Sequence, residues 1–315
     1  MAKYERKQIM LKNCIGVITI IILFIAVYFP SRHARRYDYI VLKNILNELD
    51  FRKAENVDFK LQNCSYRDMI MKNEDVIALP EQIRFRKPLP GGEYKPIDCA
   101  PLVKSALIIP YRQRQKQLEF FLKYMHSFLQ NQSIHYRIFI VEQNDTLAFN
   151  RAKMINYGAK VAMKFQYHCL ILHDVDLIPM NTANIYGCTK SPRHMSSSLD
   201  TFRYNLPYLT LFGGAVAISS EQFQKVNGMS NRFYGWGGED DDFYRRLVNS
   251  NLDPCRFSPQ VSKYVMLPHK KEKASKDRFQ ILQETNDEQW YDGLNSLSNK
   301  YLVKIEELYT HIITS

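Results

Sequence analysis

Four consecutive acidic residues, Glu239-Asp240-Asp241-Asp242, follow Gly235-Trp236-Gly237-Gly238. Adjacent carboxylates repel one another, so clustering them behind a glycine-rich turn gains nothing for the fold by itself. The group calls for an outside partner: a metal ion, a polyhydroxylated substrate, or a proton taken from one. A plainer reading also exists, because Asp and Glu suit the first turn of a helix and Phe243-Tyr244-Arg245-Arg246-Leu247 continues in helical fashion. A second acidic pair lies in His173-Asp174-Val175-Asp176-Leu177-Ile178-Pro179, two carboxylates one residue apart at the end of an apolar run. Hard oxygen ligands there could hold a divalent cation, and the cation a diphosphate.

The elements that must position these groups alternate between strand and helix. Ser105 to Pro110 reads as a buried strand ending in a breaker, and Gln115 to Gln130 has helical spacing at Leu118, Phe121, Leu122, Met125 and Leu129. Tyr136 to Val141 is a second strand, Asn150 to Met163 a helix, and Tyr167 to Leu172 a third strand. This order predicts an α/β domain of nucleotide-binding type, whose ligands collect at the carboxyl ends of its strands, where Asp174 and Asp176 fall. Neither a dinucleotide fingerprint nor a P-loop follows the first strand. Ahead of it, Pro80 to Pro101 holds five prolines and Gly91-Gly92, an irregular approach.

At 315 residues, with 45% hydrophobic and 13% aromatic content, the chain can bury one large core or two smaller ones. The formal charge is +11, but residues 1–36 hold seven basic residues against Glu5 alone, so much of the excess flanks one apolar segment. With no helix-turn-helix, zinc-finger or RRM signature, a nucleic-acid partner is not expected. The apolar segment, Cys14 to Phe29, carries no charge and with its flanks can span roughly 30 Å of hydrocarbon. Tyr28-Phe29-Pro30 offers no small-residue cleavage site, which favours a signal anchor over a cleaved peptide. Charge leans toward a cytosolic N-terminus, and a short span suits the thinner ER or Golgi membrane. The expected organisation is a tail at 1–13, an anchor at 14–30, a stem at 31–60 that is charged and weakly helical, and a lumenal catalytic domain at 61–315. None of the six cysteines is spaced as CxxC, so a zinc site is not expected, whereas an oxidising lumen would allow two bridges and one leftover thiol beside Cys14. Sequons at Asn63, Asn131 and Asn144 fit the same side of the membrane.

From about Cys64 to Thr310 the chain resembles the β1,4-galactosyltransferase family of Golgi glycosyltransferases (glycosyltransferase family 7). The resemblance is carried, in order, by Ile108-Ile109-Pro110-Tyr111-Arg112-Gln113-Arg114, Phe149-Asn150-Arg151-Ala152-Lys153, Asp174-Val175-Asp176-Leu177-Ile178-Pro179, Phe212-Gly213-Gly214, Trp236-Gly237-Gly238-Glu239-Asp240-Asp241-Asp242, Met266-Leu267-Pro268-His269 and Asp292-Gly293-Leu294-Asn295. It implies a type II Golgi membrane protein whose catalytic domain has the GT-A fold, a Rossmann-like nucleotide-sugar domain, and which uses Mn²⁺ and a UDP-sugar. Arg112, Arg114, Phe149 and Arg151 match positions that hold UDP, with Val175 and Gly214 also on the donor side; arginines suit phosphate and ribose oxygens, and a phenyl ring stacks on uracil. Asp176, Met266 and His269 match three metal ligands, with Asp174 beside the donor. Carboxylate, thioether and imidazole together suit Mn²⁺ better than Mg²⁺. From the residues alone, Met266 reads as core and His269 as the head of a solvated basic run.

The resemblance makes Asp240 the catalytic base, Glu239 and Asp241 groups around the sugars, and Asp242 part of the helix start. Trp236 matches the tip of a loop that closes over the donor and excludes water. Tyr208 and Gly238 fall on the acceptor side, Tyr208 beneath the acceptor GlcNAc, and Arg278, Phe279 and Leu282 match the pocket for its N-acetyl group. The family's disulfides fall on Cys64 with Cys99 and Cys169 with Cys188.

One departure bears on the donor. Where vertebrate members carry a tyrosine beside C2 of the sugar, this chain has Leu211. A smaller residue without a hydroxyl leaves room for an N-acetyl group, as in the family's invertebrate β1,4-N-acetylgalactosaminyltransferases. The expected donor is therefore UDP-GalNAc, transferred to a terminal β-GlcNAc of a glycoprotein or glycolipid, with UDP-Gal the alternative. The segment from His269 to Arg278 is shorter than the family's acceptor loop, and Asn227-Gly228-Met229-Ser230-Asn231-Arg232-Phe233 is similar to the branch that galactosylates xylose, a minor alternative. A non-catalytic Golgi relative is another, opposed by the presence of Asp176, Asp240, Met266 and His269.

Overall fold

A computed structural model describes residues 2–35, 37–52, 61–76, 83–270, 272–285 and 288–314. The first element, α1 (Ala2–Arg35), contains a candidate span, Arg6–Tyr28, within which an 18-residue window has a mean hydropathy of 2.4 and is not buried against any described residue. By length and composition it can cross a membrane. The short helices α2 (Ile45–Glu48) and α3 (Arg67–Lys72) follow, then β1 (Glu93–Tyr94) and the first long strand, β2 (Lys104–Tyr111).

Helix α4 (Gln115–Asn131) and strand β3 (His135–Gln143), helix α5 (Arg151–Lys164) and strand β4 (Cys169–His173) complete the alternation that the apolar spacing predicts. Pro110 does not end its strand: β2 pairs with β3 through Tyr111, but with β4 only over Ser105–Ile108, so the missing N–H falls where one side of the ladder has already ended. Beyond β4 come β5 (Leu177–Pro179), β6 (Arg193–His194), β7 (Ser198–Leu199), β8 (Ala215–Ser219), α6 (Ser220–Lys225), α7 (Glu239–Asn249), β9 (Lys263–Met266), α8 (Arg278–Glu284) and a terminal hairpin, β10 (Tyr301–Ile305) and β11 (Thr310–Thr314).

The large sheet has the order β10-β11-β3-β2-β4-β8-β6, with β1 added to β3, and a small sheet runs β5-β9-β7. The centre is parallel and buried on both faces, as its unbroken apolar runs require. Alternation divides the side chains: Leu107, Ile109, Ile138 and Ile140 join one core with Leu118, Phe121, Leu122, Met125 and Leu129 of α4, whereas Ala106, Ile108, Phe139 and Val141 join a second with Ala152, Ile155, Ala159 and Ala162 of α5.

The expected stem is corrected over residues 37–52, which pack on the globular body; 53–60 lie outside the described residues. Ile45 and Leu49 are buried in the first core, Ile40 bridges Phe257, and Leu49 bridges Thr189. Leu42, Ile45, Leu46 and Leu49, spaced i, i+3, i+4, i+7, give the segment an apolar face, and Ile40 and Phe51 pack beside it.

Candidate functional site

Strand β4 delivers the first acidic pair to the sheet edge. His173 is buried between the Asp174 carbonyl and the Tyr186 hydroxyl, both 2.8 Å away, and burial pushes its pKa down to about 4. The turn closes with Asp174 N donating to Gly214 O (3.1 Å) and Leu177 N to Asp174 O (3.2 Å). Asp176 Oδ2 then accepts from Arg114 Nη1 at 2.6 Å and lies 3.1 Å from His269 Nδ1. Burial, reinforced by Asp174, raises the Asp176 carboxyl above its ordinary range, so its ionised form depends on neighbouring cations. Met266 stands opposite Leu177 in the β5–β9 ladder, and Leu267 N donates to Asp176 O at 2.7 Å. Carboxylate, imidazole and thioether residues thus gather at one corner. Among the described residues no three His, Cys, Asp or Glu side chains form a metal-binding group. Completed by sulfur instead, this donor set fits an ion of intermediate softness.

Arg151 joins that corner to the second acidic group. It opens α5, whose N-cap Asn150 accepts from Lys153 N at 2.8 Å. Its guanidinium donates to Asp174 Oδ1 at 2.6 Å and lies 3.8 Å from Glu239 Oε1. Arg112 donates to Leu147 O at 2.6 Å and stands 5.2 Å over the Phe149 ring. Phe149 O accepts from Gly235 N at 2.8 Å, tying the ring to the loop of Trp236. Trp236 is 60% exposed, and its carbonyl accepts from Ser275 N at 3.0 Å.

Helix α7 begins at Gly238, whose φ of 95° is the left-handed conformation that glycine tolerates, and all four acids lie in its first turn. Their environments differ. Burial, then Asp240, raises Glu239 to about 7, and its Oε2 is buried without a hydrogen-bond partner. Burial, then Asp241, raises Asp240. Asp241 accepts from the Tyr208 hydroxyl at 3.2 Å and is also raised by burial. Asp242 is fully buried and accepts from Arg245 (2.9 Å) and Arg246 (2.8 Å), so it is a salt-bridged core group as well as a helix-start residue. A Cβ added to Gly213 would stand 2.7 Å from Asp240 Oδ2.

On the far side, a Cβ added to Gly237 would stand 3.0 Å from Arg278 Cδ; Arg278 donates to Ser275 O (2.7 Å) and lies 4.3 Å over the Phe279 ring. Phe279 is 63% exposed, and Leu282 O accepts from Arg245 Nη1 at 2.7 Å. Val175 is buried in the first core instead of lining an open surface, and Leu211 is half-buried with its N–H on Tyr208 O (3.3 Å). The structure pairs Cys64 with Cys99 and Cys169 with Cys188, leaving Cys14 and Cys255 as thiols, and exposes Asn63, Asn131 and Asn144. Sequence reasoning missed His194 and Arg256, both buried behind Gly213: no motif marks them, and one arginine among 43 lysines and arginines carries no signal.

A mixed sheet with a parallel centre and acids at its carboxyl edge, a small second sheet carrying Met266, and a helix-start acidic cluster beside them define a GT-A fold. The N-terminal region of glycosyl transferase group 7 matches residues 54–189, and the N-terminal domain of galactosyltransferase matches 193–270. The chain is 42% identical over 227 residues to β1,4-galactosyltransferase 1 of Mus musculus (70% of this chain, 57% of the relative) and 40% identical over 226 to β1,4-galactosyltransferase 6 of the same species (71% and 59%). It thus spans somewhat over half the length of these relatives. Among solved structures, the catalytic domain of Drosophila β1,4-galactosyltransferase 7 with xylobiose superposes with a TM-score of 0.57 at 28% identity, covering 67% of this chain and 92% of that one. A mutant of that enzyme holding manganese, UDP-Gal and xylobiose gives 0.55 at 27%, with the same coverage. The chain belongs to glycosyltransferase family 7, the β1,4-galactosyltransferase family.

Proposed function

We propose that the chain is an inverting, Mn²⁺-dependent β1,4-glycosyltransferase that moves GalNAc from UDP-GalNAc to the 4-hydroxyl of a terminal β-GlcNAc on a glycoprotein or glycolipid. The observation that carries this reading is Arg151, which contacts Asp174 at the strand edge and approaches Glu239 at the helix start, so donor-side and acceptor-side acids share one site. Asp240 takes the proton from the acceptor hydroxyl as that oxygen attacks the anomeric carbon and the bond to UDP breaks with inversion. Its raised pKa makes it a better base than an exposed aspartate. Mn²⁺, held by Asp176, Met266 and His269, would neutralise charge on the departing diphosphate. Arg112, Arg114 and Arg151 bind phosphate and ribose oxygens, Phe149 stacks on uracil, and Val175 and Gly214 shape the donor side. Trp236 closes over the donor, and Glu239 and Asp241 contact the sugars. Tyr208, Gly238, Arg278, Phe279 and Leu282 receive the acceptor. Helix α1 anchors the chain as a single-pass type II protein with its catalytic domain in the Golgi lumen, where the three sequon asparagines are available for glycosylation.

Leu211 supports GalNAc over galactose. The second reading, UDP-Gal with the same acceptor, is favoured by the relatives, which are named galactosyltransferases, one of them holding UDP-Gal. Turnover of the full chain in detergent with each donor, Mn²⁺ and a GlcNAc acceptor decides between them: a clear preference for UDP-Gal overturns the GalNAc assignment, and no turnover with either overturns the catalytic one.

A further inference from the structure

The stretch from Tyr208 to Gly214 carries an acceptor-side ring, the donor-selecting Leu211 and the glycine beneath Asp240, yet residues 207–210 are exposed. Its C-terminal end is held by Phe212 in the second core, by Ser196 Oγ on Gly213 O (3.2 Å) and by Asp174 N on Gly214 O (3.1 Å), and the Tyr208 hydroxyl reaches Asp241; between those points one buried arginine fastens the backbone. Arg256 Nη2 donates to Leu209 O at 3.0 Å and to Leu211 O at 2.6 Å. Its Nε donates to His194 Nδ1 at 3.1 Å, and His194 Nε2 lies 3.0 Å from Gly213 O. Since Nδ1 accepts, Nε2 carries the proton and donates, so a single neutral tautomer connects Arg256 to Gly213. Among the described residues Arg256 forms no ion pair with a carboxylate. Its charge is met by the face of Tyr37, 4.2 Å from the guanidinium carbon, and Tyr37 is held in turn by its hydroxyl on Pro254 O at 2.7 Å. The next turn of chain reinforces the contact: Ile40 N donates to Arg256 O at 2.9 Å and Ser258 N to Ile40 O at 3.1 Å. Tyr37 lies two residues beyond the end of α1.

We propose that Tyr37, at the start of the segment that follows the anchor, is a positioning residue of the catalytic site: through Arg256 it holds the Tyr208–Gly214 stretch and thereby the shape of the donor and acceptor pockets. The proposal deepens and rests on the transferase reading. A desolvated cation–π contact is worth a factor of roughly 5–30 in the population of the ordered arrangement, while the folding of 37–52 is carried elsewhere, by Ile45 and Leu49 in the core.

The test uses the full-length chain in detergent, comparing Tyr37→Ala and Tyr37→Phe by hydrogen exchange across 208–213, by thermal melting, and by kcat/KM with UDP-GalNAc and UDP-Gal. Tyr37→Ala is expected to speed exchange in 208–213 while leaving strand Lys104–Tyr111 protected, to lower kcat/KM by about 5- to 30-fold, and to change the ratio between the two donors. Tyr37→Phe, which keeps the ring, is expected to restore most of each. Unchanged exchange and an unchanged donor ratio in Tyr37→Ala overturn the proposal, whether or not the melting temperature falls. If the wild type turns over neither donor while exchange responds as expected, the positioning contact stands and the transferase reading fails.

Discussion

Replacing Gly213 by alanine tests whether the chain reserves space for the proposed base. The added Cβ would stand 2.7 Å from Asp240 Oδ2, 3.4 Å from its Cγ and 3.5 Å from its Cβ, and nothing else lies as close. The nearest distance is roughly 0.7 Å or more short of an ordinary contact. Gly213 does not have a positive φ, so alanine suits its backbone and leaves only the carboxylate to move. A short side chain can rotate away cheaply, so stability is spared; alanine can even gain about 0.4–1 kcal/mol by restricting the unfolded chain. Catalysis is not spared, because a displacement of about 1 Å at a reacting group costs on the order of 100-fold in rate. Gly213→Ala should therefore melt like the wild type and lose about 100-fold in kcat with the preferred UDP-sugar and a GlcNAc acceptor. Its neighbour provides the contrast: Gly214 has a φ of +79°, and a Cβ there would meet Ser196 Oγ at 2.6 Å and Leu177 Cδ1 at 2.8 Å, so Gly214→Ala should lower the melting temperature. Wild-type kcat in a well-folded Gly213→Ala variant would falsify the assignment of Asp240 as a base seated against this glycine.

Glu239 titrates at about 7 against an ordinary 4.5, a raised carboxyl whose ionisation opposes folding. The fold is thus favoured most below about pH 4.5 and loses about 3 kcal/mol as the pH rises to about 7; Glu239→Gln should flatten the melting temperature across that window. Asp242→Asn should lower stability, by less than the roughly 3–5 kcal/mol of a fully broken buried pair, because Arg246 keeps Asp292 at 3.6 Å, whereas Asp240→Asn should abolish turnover and leave melting unchanged. Leu211→Tyr should shift donor choice toward UDP-Gal by roughly 10- to 200-fold, read as the ratio of kcat/KM for the two donors; an unmoved ratio assigns the selection to another residue.

The central elements were legible because burial on both faces makes their apolar runs unbroken: β2, β3, β4, α4 and α5 lie within a residue or two of their expected bounds. The hairpin β10–β11 was not legible, since β10 is largely exposed and mixed in character while β11 joins the sheet by pairing in parallel with β3, a partner far away in sequence. Residues 37–52 were misread for a related reason. Leu42, Ile45, Leu46 and Leu49 do follow helical spacing, but the run is only two turns long and is interrupted by Lys43, Asn44, Asn47 and Glu48; only Ile45 and Leu49 are deeply buried, with Ile40, Leu42, Leu46 and Phe51 partly so. At the site, Asp174 and Asp176 were legible from their place after a strand. Met266 and His269 were identifiable only by resemblance, because the ladder that sets Met266 opposite Leu177 spans most of a hundred residues.

The four acids that first mark the chain cannot act as one group. Consecutive residues on a helix turn by about 100° each, so a run of four in the first turn of α7 must point in four directions. Each has accordingly found a different neighbour: Glu239 approaches Arg151, Asp240 lies against Gly213, Asp241 takes the Tyr208 hydroxyl, and Asp242 turns inward to Arg245 and Arg246. The helix start reading and the chemical one are therefore not rivals. The positive end of the helix favours all four carboxylates, the inward one fastens the helix to the core, Glu239 and Asp240 lie on the side where Arg151 meets Asp174, and Asp241 meets Tyr208. Because the fastening acid and the proposed base are only two residues apart, a displacement of α7 at Asp242 reaches Asp240 directly, and the stability of that buried pair is what holds the base in register with Gly213.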